Sequence, residues 1–258
     1  MRIQHWMRRA PWLLALAIVF TLACGDDDNG TNPDGDGNGG GSITFPLKVG
    51  NGWTYSVTET GTGKSAPAYN RTDTIIGTAT IDGQPYYALE ASDDAGGDPD
   101  TSFVRQSAQQ LLLHLNVDVS ELPSSMGEAI ANSLPWEAAD FAANSGSTWT
   151  ILDYSEQFPS DGFSVEIHYS GKSLGRIDNV QVPAGNYDDV YKGQLIQTMT
   201  LTFLPPLTGT SSSTTTQTLY VKDGVGIVKD ETELRVQMTG QAEDVSTTTS
   251  VLTAFDVQ

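Results

Sequence analysis

The sequence predicts a mainly β protein: an antiparallel meander forming a curved sheet or incomplete barrel, with a short helical insert around residues 125–143. Three observations predict it. Apolar and polar residues alternate with period two in "WTYSVTET", "FSVEIHYS" and "ETELRVQM", the pattern of strands with one buried and one wet face. Turn dipeptides punctuate these runs. One interval alone, after Ser125, changes to helical spacing.

The first strand runs from Trp53, with Trp53, Tyr55 and Val57 on one face and Thr54, Ser56 and Thr58 on the other. Further strands are expected at 72–81, 85–91, 102–106, 110–116, 148–154, 163–170, 176–182, 187–203, 217–222, 231–238 and 245–256. Asn51-Gly52, Asp82-Gly83 and Asp223-Gly224 suit tight hairpins, because both residues of such pairs accept positive φ. Ser125 and Glu128 have capping-box spacing, and Met126, Ile130 and Leu134 then recur at i, i+4 and i+8. Pro135 stops that helix, and a second short helix is expected over 136–143. A helix set among meandering strands suits the opening of an unclosed barrel. No fixed-period repeat supports a propeller.

Residues 1–23 read as an export signal. Arg2, Arg8 and Arg9 precede the run "APWLLALAIVFTLA", which is too short to span a bilayer comfortably. At its end Ala23 and Cys24 resemble a bacterial lipobox, although Thr21 stands where Leu is usual. That resemblance implies a diacylglycerol on Cys24, the chain's one cysteine, and hence a lipid-anchored protein of the cell envelope. Gly25 rather than Asp follows the cysteine, which favours the outer membrane if the host is Gram-negative. Residues 24–42 are the lipidated cysteine and an acidic Gly/Asp tether with too little apolar surface to fold. Asp34 to Gly39 match the first six positions of a calcium loop, but position 12 is Phe45 and no flanking helices are evident. Gly35, Gly37 and Gly40 match a dinucleotide fingerprint without the strand and helix it requires. Residues 43–258 form a single β-rich domain.

Charge narrows the partners. The formal net charge is −19, and removing residues 1–23 leaves 10 Lys and Arg against 32 Asp and Glu, or −22. Such a surface repels nucleic acid, whose binding depends on basic residues displacing counterions. The expected membrane attachment is through the lipid, not through charge. With one cysteine there is no internal disulfide. Only His114 and His168 lie beyond the leader, so a three-histidine metal site is excluded, and neither HExxH nor CxxC is present. Glu166 and His168 could form a carboxylate–imidazole pair on one strand face, or simply decorate a wet one. The run 93–100, "DDAGGDPD", reads as a solvated loop with calcium binding as the sharper alternative. No catalytic residue, metal or cofactor is expected.

The segments "PLKVGNGWTY", "VPAGNYDDVYK" and "YVKDGVGIVK" resemble a loosely defined group of uncharacterised secreted bacterial lipoproteins. The resemblance implies one β-rich domain and brings no catalytic residue with it. The expected function is a non-catalytic binding module for an apolar ligand or an envelope partner. Trp53, Tyr55, Tyr169, Tyr187 and Tyr191 are the candidate pocket-lining residues, since rings with polar tips suit a partly wet cavity. The alternative is a structural or adhesive surface protein, with a hydrolase a distant third.

Overall fold

The computed structural model describes residues 42–62, 64–65, 67–115, 122–206 and 208–258. The leader, Cys24, the Asp34–Gly39 stretch and the tether up to residue 41 lie outside the described residues.

The first half of the domain holds β1 (Gly52–Gly61), the short β2 (Lys64–Ser65), β3 (Tyr69–Ile81), β4 (Gln84–Asp93), β5 (Asp100–Ser107) and β6 (Gln110–Leu115). The helix α1 (Ser124–Ser133) and β7 (Trp136–Asp140) follow. The second half holds β8 (Thr148–Phe158), β9 (Phe163–Ile177), a small hairpin of β10 (Val180–Val182) and β11 (Gly185–Tyr187), and β12 (Val190–Phe203). It ends with β13 (Gly209–Lys222), β14 (Gly226–Met238) and β15 (Asp244–Asp256). Twelve of these strands form one antiparallel sheet in the order β7-β6-β5-β4-β3-β1-β15-β14-β13-β12-β9-β8, with β2 paired outside that path to β1. The sheet is a barrel closed except at one seam. Because β15 returns to pair with β1 along Gly52–Gly61, the seam falls mid-chain, between β7 and β8.

Register fixes which side chains point inward. Tyr55 lies opposite Arg71 on β3 and Leu252 on β15, and Val57 lies opposite Ser250. Asp230 faces Ser250 on one side and Leu219 on the other. Outward positions carry Glu166, His168, Lys229, Glu231, Glu233 and Arg235. A polar, charged exterior is the opposite of the apolar band that a membrane-spanning barrel needs.

A ring of twelve strands encloses more space than inward side chains alone fill. Two additions fill part of it. Residues 42–49 cross one end: the Ile43 and Phe45 amides donate to Gln109 Oε1 and Gln106 Oε1 at 2.9 and 2.8 Å, and the Thr44 amide donates to Asp223 at 2.7 Å. This strap thus links the β5–β6 turn to the β13–β14 turn, with Ile43 and Phe45 buried beneath. Asn51, fully buried, locks the strap to the C-terminus. Its Nδ2 donates to the Pro46 carbonyl at 2.7 Å, and its Oδ1 accepts from the Gln258 amide at 3.1 Å. The second addition is α1, whose Met126 and Ile130 join the core while Ser125 Oγ sits 3.3 Å from the inward Tyr154 hydroxyl of β8.

The seam is bridged by side chains. Trp149 Nε1 donates to the Glu137 carbonyl of β7 at 2.9 Å. Its indole lies over Gly171 so closely that a Cβ there would stand 2.0 Å from the ring. Trp136 of β7 meets Tyr169 of β9 edge to face at 5.0 Å.

Several expectations need correction. Residues 136–140 form a strand, not a second helix: the β6 edge at Leu111–Leu113 needs a hydrogen-bonding partner, and 136–139 supplies it. The α1 start has no side-chain cap; Pro123 is the N-cap residue, and Ser125 instead meets Tyr154. The strand expected over 176–182 is the end of β9 followed by β10, and 187–203 is interrupted at 188–189. Asn51-Gly52 makes no hairpin turn, because the turn lies two residues earlier, at Val49-Gly50, with Gly50 at φ 94°. Asp82-Gly83 does make its hairpin, at φ 51° and 73°.

Candidate binding site

Four of the five aromatic candidates are buried in the core, at 5 % exposure or less. Trp53 Nε1 donates to the Val225 carbonyl at 2.6 Å, and its ring packs 5.9 Å from Phe45 under the strap. The Tyr55 hydroxyl donates to the Ile227 carbonyl at 3.0 Å. Both side chains therefore reach from β1 across to the start of β14. Tyr169 packs on Trp136, and Tyr191 meets Phe141 edge to face at 5.1 Å. Burial pushes the Tyr191 phenol up to about 12. Tyr187 is half-buried on the β10–β11 hairpin. These rings fill the strap half of the barrel.

The opposite half, toward the β8–β9, β12–β13 and β14–β15 turns, differs. Several inward positions there are only partly buried, namely Tyr69, Tyr154, Phe158, Met199 and Leu201, while Phe163, Val165 and Ile167 of β9 beside them are buried. Polar tips stand among them. The Tyr69 hydroxyl donates to Glu59 at 3.0 Å, and the Tyr154 hydroxyl donates to Glu156 at 2.7 Å. Hydrogen bonds from the Ser125 and Tyr154 hydroxyls hold the Glu156 carboxyl below its ordinary value.

Between the halves lies a polar layer that sequence inspection does not single out. Arg71 and Asp73, both inward on β3, pair through a hydrogen bond from Nη2 to Oδ2 at 3.1 Å. A second contact, Nε to Oδ1 at 3.0 Å, is too bent for a hydrogen bond but completes the ion pair. The guanidinium also stacks on Tyr55, 4.7 Å from the ring centre. Asp230 on β14 accepts from Gln217 Nε2 at 3.0 and 3.2 Å. Burial pushes the Asp230 carboxyl up to about 7, against the pull of Arg71 and the Gln217 amide. Burial likewise raises Asp73, with Arg71 opposing it. Burial also works against the Arg71 charge, yet Asp73, Tyr55 and Asp230 hold its pKa above the ordinary value.

Thr215, Thr232 and Ser250 complete the layer. They point inward from β13, β14 and β15, are 5 %, 3 % and 0 % exposed, and their hydroxyls have no hydrogen-bond partner among the described residues. A signal was present in "YNRTDTII": Arg71 and Asp73 occupy the same alternation phase as Ile75. Phase places them inside, against the usual preference of charged residues for water.

The other candidates resolve locally. Glu166 and His168 are exposed on the outer face of β9. His114 meets Tyr86 edge to face at 5.9 Å. In the 93–100 loop, Asp93 Oδ1 accepts from the Gly96 and Gly97 amides, and Asp94 accepts from the Asn70 backbone and side chain. Those carboxylates shape a turn. Among the described residues no group of three or more His, Cys, Asp and Glu is placed to hold a metal ion. The letters Gly171-Lys172-Ser173-Leu174-Gly175 spell G-x-S-x-G, the elbow pattern of serine hydrolases. Here they lie within β9, not between a strand and a helix. Ser173 is fully buried and donates to the Ala143 carbonyl at 3.1 Å, while Gly171 makes room for Trp149.

No family model matches this chain, and no curated protein matches it. Among solved structures it is similar to a Bacteroides fragilis protein described as a "putative exported protein with YmcC-like fold". That likeness has 12% sequence identity and a TM-score of 0.38, over 83% of this chain and 99% of the other.

Proposed function

We propose that this chain is an exported, lipid-anchored envelope protein that binds an apolar or amphipathic ligand in the mouth half of its barrel, without catalysis. The observation that carries this reading is the contrast in burial along the inward positions. Toward the strap they are closed by packed aromatic rings. Toward the mouth, Tyr69, Tyr154, Phe158, Met199 and Leu201 point inward yet stay partly exposed, beside the buried Val165 and Ile167 of β9. Concave apolar surface with a few polar tips is the general form of a small-molecule site. The strap half supplies rigidity and is too full to serve as the pocket.

Two measurements test the proposal. Native mass spectrometry with organic extraction of the purified protein should reveal a copurifying apolar molecule, or a hydrophobic fluorescent probe should bind saturably without unfolding it. A dry extract and no probe binding would leave surface spacing or adhesion as the better account. The anchor is tested separately: Cys24→Ser should abolish metabolic fatty-acid labelling and release the protein from membranes. Equal labelling of both forms would remove the lipid anchor from the proposal.

A further inference from the structure

Resting on that reading, we propose that the polar layer of the barrel binds the cationic head, a primary ammonium, of the amphipathic ligand. Asp230 and the three unpartnered hydroxyls of Thr215, Thr232 and Ser250 are its receptors. The layer holds two carboxylates, Asp73 and Asp230, against one guanidinium, Arg71. Arg71 is committed to Asp73 through two contacts, at 3.0 and 3.1 Å. Asp230 is left with a single neutral donor, the Gln217 amide. A carboxylate offers about four acceptor sites, so most of the capacity of Asp230 remains unused in a nearly dry setting.

The hydroxyls point to the same place. Ser250 lies directly opposite Asp230 across β14 and β15, and Thr232 lies opposite Gln217 across β13 and β14. Thr215 is opposite Leu234, one inward position further toward the mouth. The three therefore form a diagonal over adjacent strands, interleaved with Gln217 and Asp230. Buried polar atoms are almost always partnered. Three orphan hydroxyl oxygens beside an under-used carboxylate make an acceptor-rich floor, which suits an ammonium group with its three donors and positive charge. Access is from the mouth, where the next inward residues, Gln197, Leu234 and Ser246, are half-buried. The ligand's chain would then lie along Met199, Leu201, Tyr154 and Phe158. The overall charge of −19 favours a cation over an anion at every approach.

The charged and titratable groups around Asp230 are Tyr55 from β1, Arg71 and Asp73 from β3, and Glu231 on its own strand, facing outward. Gln217 on β13 and Ser250 on β15 do not titrate in the range used. The test is calorimetric binding of decylamine, decanol and decanoate, each below its micelle threshold. It uses the full chain carrying Cys24→Ser, so that no anchor or detergent competes. Decylamine should bind at least tenfold more tightly than decanol at pH 8. It should weaken about five- to tenfold at pH 6 as Asp230 takes up its proton, while decanol stays constant. Asp230→Asn, isosteric and able to keep a hydrogen bond to Gln217, should erase the amine preference and leave decanol binding intact. Thr232→Val should weaken decylamine severalfold and spare decanol, which guards against a folding defect in the first variant. Equal, pH-independent binding of amine and alcohol would overturn the cation floor while leaving the apolar site standing. Tighter decanoate binding would overturn it in favour of an Arg71-directed anion. Failure of all three probes to bind would overturn both proposals.

Discussion

The strap half and the mouth half are built from the same strands, yet they solve the space inside a twelve-strand ring in opposite ways. At the strap, Trp53, Tyr55, Tyr169 and Tyr191 point inward, and each phenol or indole edge sits against another ring, a carbonyl or a neighbouring strand. At the mouth the inward residues on β13 and β15 shrink to Ser213, Thr215, Thr248 and Ser246. Small hydroxyl side chains span less of the diameter than the rings at the strap. The difference teaches that barrel closure and barrel filling are separate problems. Backbone hydrogen bonds close the ring over most of its length, while residue size decides how densely each stretch of the interior is filled.

Truncation at each end should break or confirm that contrast. Trp53→Ala removes a buried indole, its contact with Phe45 and a 2.6 Å hydrogen bond, and should cost about 4 kcal/mol in urea unfolding. Phe158→Ala at the mouth should cost only about 1 kcal/mol, since part of its ring is already wet. Similar losses at the two sites would mean that the mouth is as well packed as the strap.

The polar layer predicts a pH effect of definite sign. The Asp230 carboxyl is pushed up to about 7 in the fold, against about 3.9 in an unfolded chain. Between those values the folded state binds more protons than the unfolded one, so this group's contribution to stability is full below about pH 4. It is lost as pH rises to about 7 and stays constant above. Wild type should therefore lose on the order of 4 kcal/mol relative to Asp230→Asn across that window. Parallel pH–stability curves for the two proteins would show that Asp230 is hydrated and that the layer is not dry.

At the seam, Gly171→Ala places a methyl group where the Trp149 indole lies. Displacing that ring also loses its bond to the Glu137 carbonyl, for a cost of about 2 kcal/mol. The variant should expose β7 to hydrogen exchange before the strands of the β12–β14 region. An effect as small as that of Phe158→Ala is expected at Met199→Ala, about 1 kcal/mol of stability, together with a measurable loss of hydrophobic-probe binding. Unchanged probe binding would move the concave surface away from β12.

Much of this architecture is legible in the sequence because strand alternation is a local property. Trp53, Tyr55 and Val57, or Phe163, Val165 and Ile167, report their own inward phase through spacing alone. Asp82-Gly83 reports its hairpin because few residue pairs accept positive φ twice. β13 is legible only from residue 217 onward, since "GTSSSTTT" has no apolar alternation to reveal it. Its Thr content is nonetheless compatible with a strand.

By itself the sequence determined the fold class, the phase of most strands and the presence of one helix near residue 125, since each follows from contacts within a few residues. Tertiary structure alone decided that residues 136–140 pair as a strand, because the open edge of β6 required a partner. It alone placed the seam between β7 and β8, through the pairing of β1 with β15 across nearly the whole described chain. It alone also brought Arg71 and Asp73 beside Asp230, more than 150 residues away. No local pattern encodes which charges will share a dry interior, because that depends on the register of several strands set together.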